Sequence, residues 1–189
     1  INGLCFSNNL LREKNNNIVI LGDGELQEGQ NWEALMFLQN NKKLNPLIII
    51  DHNKIQSDTW IHKVKDYSKL KDKIKSFKLN FAEVDGHDKK KLLNLISLHF
   101  KKKKGATVIL ANTIKGKGFK QFESTNFSSS MKFYPYHSGI LSNHVYEKAS
   151  NQIINKILKF CNLNKIKYPK FKNINLTEQN LINDKYLNL

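Results

Sequence analysis

Gly22-Asp23-Gly24-Glu25-Leu26-Gln27-Glu28-Gly29, followed downstream by Asp51-His52-Asn53, is the pair of strings on which the reading of this chain turns. An apolar run, Ile18-Val19-Ile20-Leu21, precedes the first string, and Gln30-Asn31-Trp32-Glu33-Ala34 after it opens a helix. Strand, glycine turn and helix together let backbone N–H groups approach a phosphate at a helix N-terminus. A carboxylate at that point, Asp23, repels a phosphate unless a cation lies between them. The conflict points to Mg²⁺, a hard ion that takes oxygen ligands and is shared between one or two protein groups and a phosphate.

The second string follows one helix and one strand later. Leu47-Ile48-Ile49-Ile50 reads as a short buried strand, and Asp51-His52-Asn53-Lys54-Ile55 leaves its C-terminal end. Adjacent strands of a parallel sheet deliver their C-terminal ends to one edge, where ligands bind. Asp23 and Asn53, thirty positions apart, are therefore expected to converge there. Asn53 offers an amide oxygen and Ile55 a backbone carbonyl, both suited to Mg²⁺.

Outward from this centre, strands and helices alternate. A helix ends over residues 4–13, Asn15-Asn16-Asn17 breaks it, and the strand at 18–21 follows. Residues 30–39 carry Trp32, Leu35, Met36 and Leu38 near helical spacing, which predicts a face packed on a sheet. Asn45-Pro46 stops the connection before Leu47. Residues 56–67 read as a loop containing Trp60 and His62. Helix signals return over 70–77, and 80–84 is a short strand. Asp85-Gly86-His87-Asp88 ends that strand and caps a helix over 89–100, with Leu92, Leu93, Ile96 and Phe100 on one face. Residues 107–111 form the next strand. The pattern gives an α/β fold, a parallel sheet with helices on both faces. Lys115-Gly116-Lys117-Gly118 and Ser128-Ser129-Ser130 then mark a long loop of the kind that closes on a ligand. A last helix runs from Asn143 to about Phe160. The Lys- and Asn-rich tail beyond Cys161 reads as a linker or a partner-binding extension.

Composition narrows the class. At 189 residues the chain can hold one domain with a sizeable core. No run approaches the roughly 18 apolar residues of a membrane span, and no secretory leader opens the chain. Cys5 and Cys161 lie far apart, fit no metal-ligand spacing and read as buried or inert thiols. Cytoplasm is the default compartment. Thirty-one basic against sixteen acidic residues give a net charge of +15, which would suit an anionic partner. The lysines, however, are scattered among many Asn and Ile, as an AT-rich coding sequence would place them. The one dense run, Lys101-Lys102-Lys103-Lys104, follows a helix, where cations meet the negative end of its dipole. A solvated helix end is the better reading, and nucleic-acid binding rests on charge alone.

The strings above, with Val84-Asp85-Gly86-His87-Asp88, Ala111-Asn112-Thr113-Ile114-Lys115-Gly116-Lys117-Gly118 and His137-Ser138-Gly139, form an ordered series similar to the transketolase family, and especially to its separately encoded N-terminal subunits. Gly22 to Asn53 resembles the thiamine-diphosphate motif, which begins Gly-Asp-Gly and ends in Asn. The resemblance covers residues 1–149 and implies the thiamine-diphosphate-binding fold, with 150–189 as a helical extension and tail. It implies transfer of a two-carbon ketol unit from a ketose to an aldose, with thiamine diphosphate and Mg²⁺ as cofactors. Asp23, Asn53 and Ile55 would hold the metal, and Gly22 and Gly24 would shape the diphosphate cradle.

Each of these residues also has a plainer use. Asp23 can cap the following helix, the glycines can simply turn the chain, and Asn53 can be a strand-end turn residue. Glu28 is an ordinary first-turn acid, or, as in the family, a residue at the subunit contact that couples paired cofactor sites. His52 reads as a packed or surface histidine with no catalytic role. His87 falls at a structural corner. His137 is the chemical candidate, near the diphosphate and the substrate hydroxyls, for hydrogen bonding or proton transfer. Lys115 and Lys117 either steer sugar phosphates or are solvated loop lysines, with the latter slightly favoured.

The resemblance also implies what the chain lacks. The family's glutamate that touches the cofactor's aminopyrimidine belongs to a second domain, and the early histidines near the substrate lie before the segment that Ile1 matches. The expectation is a chain inactive alone, with its N-terminal part missing, that needs a second polypeptide. The assembly would be a heterotetramer or a homodimer of such pairs. Two rivals stand beside this. One is the α subunit of another thiamine-diphosphate enzyme of the 2-oxo-acid dehydrogenase type, against which Leu26-Gln27-Glu28-Gly29 and Trp32-Glu33 argue. The other is a non-enzymatic basic binding domain.

Overall fold

A computed structural model describes residues 1–102, 104–127, 131–167 and 169. In chain order the elements are α1 (Asn2–Leu10), β1 (Ile18–Gly22), α2 (Gly29–Asn40), β2 (Leu47–His52), β3 (Ile55–Gln56), β4 (Thr59–Trp60), α3 (Ile61–Val64), α4 (Leu70–Ser76), β5 (Asn80–Asp85), α5 (Lys89–Lys102), β6 (Thr107–Asn112) and α6 (Asn143–Asn164). Short 3-10 turns occupy Gly24–Gln27, Lys120–Phe122 and Ser124–Asn126.

Four strands make one parallel sheet in the order β1-β2-β6-β5. Side chains alternate across a strand, and the two central strands are apolar at successive positions because both of their faces are covered. Ile48, Ile50, Val108 and Leu110 face Cys5 of α1, Leu35 and Leu38 of α2, and Leu70 and Ile74 of α4. Leu47, Ile49, Ile109 and Ala111, with Val84 of β5, face Leu92, Leu95, Ile96 and Phe100 of α5. Helices therefore lie on both faces, as the α/β reading expects. Among the described residues no helix is long and apolar enough to cross a membrane. Both cysteines are buried free thiols.

Several local expectations need correction. Residues 56–67 are not all loop, because β3 and β4 form an antiparallel hairpin with Ile55 opposite Trp60, and α3 follows directly. Strands of two residues carry no readable period. Met36 is 57% exposed and Leu93 62% exposed, so neither belongs to the packed face assigned to it. The packed positions on α5 are 92, 95, 96, 99 and 100, the spacing of one helix face, and His99 completes that stripe as a buried residue. The cap of α5 agrees with the sequence, since the Asp88 carboxylate accepts the Lys91 N–H at 3.0 Å. The last helix continues four residues past Phe160, to Asn164, and passes through residues 149 and 150 without a break. Ser128, Ser129, Ser130, Lys103 and nearly all of the tail beyond 167 lie outside the described residues.

Candidate functional site

The register of β1 against β2 sets Gly22 opposite Asp51. One residue further on, the Asp23 N–H donates to the Asp51 carbonyl at 3.1 Å. Positions about thirty apart in sequence thus become neighbours at the carboxyl edge of the sheet. The Asp23 side chain is only 1% exposed. It makes no cap bond to the turn that it precedes, so the helix-cap reading is not what the carboxylate does. Instead Oδ2 accepts the Lys54 N–H at 2.7 Å and faces His52 Nδ1 at 2.9 Å. A carboxylate can only accept, so Nδ1 carries the proton and donates. Among the described residues no hydrogen bond reaches Oδ1. A buried carboxylate without partners would be prohibitively costly, and these two charge-assisted bonds offset that cost. Lys54 reaches Asp23 from a left-handed backbone, at φ +68°. The Tyr67 hydroxyl donates to the Asp23 carbonyl at 3.1 Å. Burial, with the Asp23 charge beside it, raises the Tyr67 phenol above its ordinary pKa.

Asn53 shares this strand end but no hydrogen bond with Asp23. Its Oδ1 accepts the Ile55 N–H at 3.0 Å, an Asx turn, and its Nδ2 donates to Asp51 Oδ2 at 3.3 Å. The Thr113 hydroxyl, just past β6, donates to the other oxygen of Asp51. Asn53 is therefore the turn residue that its plainer reading describes. An amide oxygen has a second lone pair, so the turn leaves one for a ligand. The Ile55 side chain is buried against Trp60 and Tyr134.

The glycines divide in their roles. A Cβ on Gly24 would lie 2.9 Å from Gln56 Cγ, because the hairpin strand β3 presses on the turn there. Gln27 and Gln56 are hydrogen-bonded across the same contact. Gly22 has ordinary room for a Cβ, and its N–H is taken by Glu25 Oε2 at 2.6 Å. The Trp32 indole N–H, donating to the Leu26 carbonyl at 2.7 Å, clamps the turn to α2. Glu28 is exposed at the start of α2 and makes no side-chain cap bond.

His137 belongs to a separate layer. It is exposed, and Lys115 Nζ stands 3.2 Å from its Nδ1. The same ammonium donates to the Ser57 carbonyl at 2.6 Å and lies 5.5 Å over the Tyr134 ring. Burial pushes the Lys115 pKa down, while Asp23, Asp51 and Asp58 pull it up. Lys115 is thus no solvated loop lysine, which corrects the sequence reading. Lys117 does fit that reading, exposed and 3.4 Å from Glu123. His87 Nε2 accepts the Ile114 N–H at 2.8 Å, so this histidine fastens the corner after β5 to the chain leaving β6.

Sequence reading undervalued His52 and Lys115. For His52 the signal was available: it continues the face of Ile48 and Ile50, which points toward the turn holding Asp23. Lys115 had no such period, because it follows the last strand in irregular chain.

Residues 10–131 match the family described as transketolase, thiamine diphosphate binding domain. A 6-deoxy-6-sulfo-D-fructose transketolase subunit of Clostridium sp. (strain MSTE9) is 34% identical over 113 residues, which cover 60% of this chain and 41% of that protein. An apulose-4-phosphate transketolase subunit of Phocaeicola vulgatus is 27% identical over 142 residues, covering 75% of this chain and 47% of that one. The match thus spans less than half the length of either relative. In fold, the chain is similar to the crystal structure of transketolase from Campylobacter jejuni, with a TM-score of 0.57 and 22% identity over 75% of this chain and 21% of that one. On the family match, which takes in well over half of its residues, this chain belongs to the transketolase family through its thiamine diphosphate binding domain.

Proposed function

We propose that this chain is the diphosphate-binding half of a Mg²⁺-dependent transketolase that moves a two-carbon ketol unit from a ketose to an aldose and acts with a second polypeptide. The observation that carries the reading is the buried Asp23 carboxylate. It makes no cap bond to the 3-10 turn it precedes, with Oδ2 committed to protein donors and Oδ1 outside any hydrogen bond of the described residues. Among those residues no group of three or more His, Cys, Asp or Glu side chains could hold a metal ion. The ligand set proposed is therefore Asp23 Oδ1, the Asn53 amide oxygen and the Ile55 carbonyl, all hard oxygen donors that suit Mg²⁺ with a diphosphate completing the shell.

Thiamine diphosphate, when bound, supplies the carbon–carbon bond chemistry. This chain's residues hold and orient. Gly24 keeps the turn low enough for a diphosphate to approach, and Gly22 lets Glu25 fasten that turn to β1. Lys115 places a cation between the strand-end carboxylates and His137, where sugar hydroxyls and phosphates would enter. His137, exposed, exchanges protons with substrate hydroxyls. Glu28, exposed at the start of α2, faces the partner chain. Residues 1–149 act as the binding unit, and 150–189, beginning within α6, extend it toward the partner. The assembly is a heterotetramer or a homodimer of such pairs in the cytoplasm. Relatives named as transketolase subunits that act on sugars support both the second chain and the substrate class.

The test is ketol transfer between a ketose and an aldose phosphate, with this chain alone and with a co-expressed chain carrying the pyrimidine-binding half. Activity confined to the pair is expected. Full activity of this chain alone would overturn the half-site reading. Decarboxylation of a 2-oxo acid by the pair, without ketol transfer, would favour the 2-oxo-acid dehydrogenase alternative.

A further inference from the structure

We propose that His52 is the positioning residue of the cation site, holding the Asp23 carboxylate in the one rotation that commits Oδ2 to the protein and presents Oδ1 to the metal. The inference rests on the reading of Asp23 as a metal ligand. A carboxylate turns easily about its last torsion, and a single donor leaves it a broad arc. Here two donors converge on one oxygen from different directions, the His52 ring at 2.9 Å and the Lys54 amide at 2.7 Å. The His52 ring can hold its place because only 14% of its side chain is exposed. Its donation does not depend on the charge of the ring, since Nδ1–H faces an acceptor either way.

The four residues 52–55, from the last position of β2 to the first of β3, thereby divide their work by alternation. Asn53 and Ile55 offer oxygens to the cation, and His52 and Lys54 orient the third ligand across from them. Partners that hold a metal's ligands in this way are typically worth about 10–100-fold in metal affinity.

The experiment measures Mn²⁺ uptake by the full 189-residue chain with thiamine diphosphate present, read by electron paramagnetic resonance, for wild type and three variants. Asp23→Ala removes the ligand. His52→Phe keeps the ring and removes the donor, and His52→Asn returns an N–H near the place of Nδ1. The expected result is loss of uptake in Asp23→Ala, affinity weaker by about 10–100-fold in His52→Phe, and recovery of most of it in His52→Asn. Weak binding in Asp23→Ala with wild-type binding in His52→Phe would overturn the role of His52 and leave the site standing. Equal loss in both His52 variants would also overturn it, because the donor would then not be what matters. Unchanged uptake in Asp23→Ala, or no uptake by wild type, would sink the site reading and this inference together. Nitrogen-15 spectra of wild-type His52 need no substitution. They should show the proton on Nδ1 and a shift when the cation is added, and a proton confined to Nε2 would contradict the proposal.

Discussion

His52 and His137 stand in opposite circumstances. His52 is the last residue of a central strand, nearly enclosed, with Nδ1 against a buried carboxylate. His137 is exposed on irregular chain, and its contact is the tip of a lysine that is itself anchored to Ser57. The strand fixes one histidine through the backbone ladder, so its direction follows from alternation. The other is set by a long flexible cation and by loop packing. On the proposed function, a rigid cation side and an adjustable substrate side would suit ketol transfer, because the diphosphate would stay while sugars come and go.

Breaking the loop side should have the largest effect on stability. Gly116 has φ +77°, and an added Cβ would fall 2.1 Å from the Phe122 carbonyl oxygen. Left-handed strain of about 1–2 kcal/mol and overpacking of about 1–3 kcal/mol both act on Gly116→Ala. A fall in thermal midpoint of roughly 6–12 °C is expected for a loss near 3 kcal/mol, with His137 resonances displaced as well. A neutral substitution would mean that the loop is far more adaptable than its contacts indicate.

The strand side breaks at Gly24. Gly24→Ala drives a Cβ into Gln56 Cγ and should cost about 1–3 kcal/mol, whereas Gly22→Ala should be close to neutral. Paired denaturant melts would check the contrast, and equal losses would show that the β3 hairpin does not press on the turn.

A third histidine tests the framework beneath both sides. His99 is buried with Nδ1 at 2.8 Å from the Thr107 hydroxyl and Nε2 at 3.3 Å from the Asn45 carbonyl. Burial lowers its pKa below the ordinary 6.5, with the Asn45 bond opposing. As pH falls below about 6.5, the unfolded chain takes up this proton before the folded chain does. The stability is therefore fully present above that pH and drains away on acidification toward the lowered folded value. His99→Gln should flatten that part of the stability profile, and an unchanged acid slope would assign it to other groups.

The smallest effect expected is a gain. Lys54 holds φ +68°, so Lys54→Gly should relieve about 1 kcal/mol of left-handed strain while keeping the N–H to Asp23. Chemical denaturation would detect it, and a loss of stability would mean that the Lys54 side chain contributes more than its backbone costs.

Much of this was readable in the residues. The apolar runs at 18–21 and 47–50 and the glycine string between them place two parallel strands and the turn, and Asp23 stands out because a carboxylate conflicts with a phosphate cradle. The apolar runs stop short of the strand ends, because Gly22, Asp51 and His52 are polar or small yet continue the ladder. The hairpin at 55–60 leaves no pattern in the sequence, because two-residue strands have no period. Met36 and Leu93 are apolar yet lie off the packed stripes, whereas the single-face spacing of α5 takes in His99. The link from Lys115 to His137 crosses 22 residues of irregular chain, and no local pattern encodes a contact of that kind.

The central claim stands or falls on calorimetric titration of thiamine diphosphate into wild type and Asp23→Ala, each with and without Mg²⁺. Saturable binding to wild type that requires Mg²⁺ and disappears in Asp23→Ala is the predicted result. Equal binding with and without Mg²⁺, or binding that survives Asp23→Ala, would contradict the assignment of this strand end as the cation and diphosphate site.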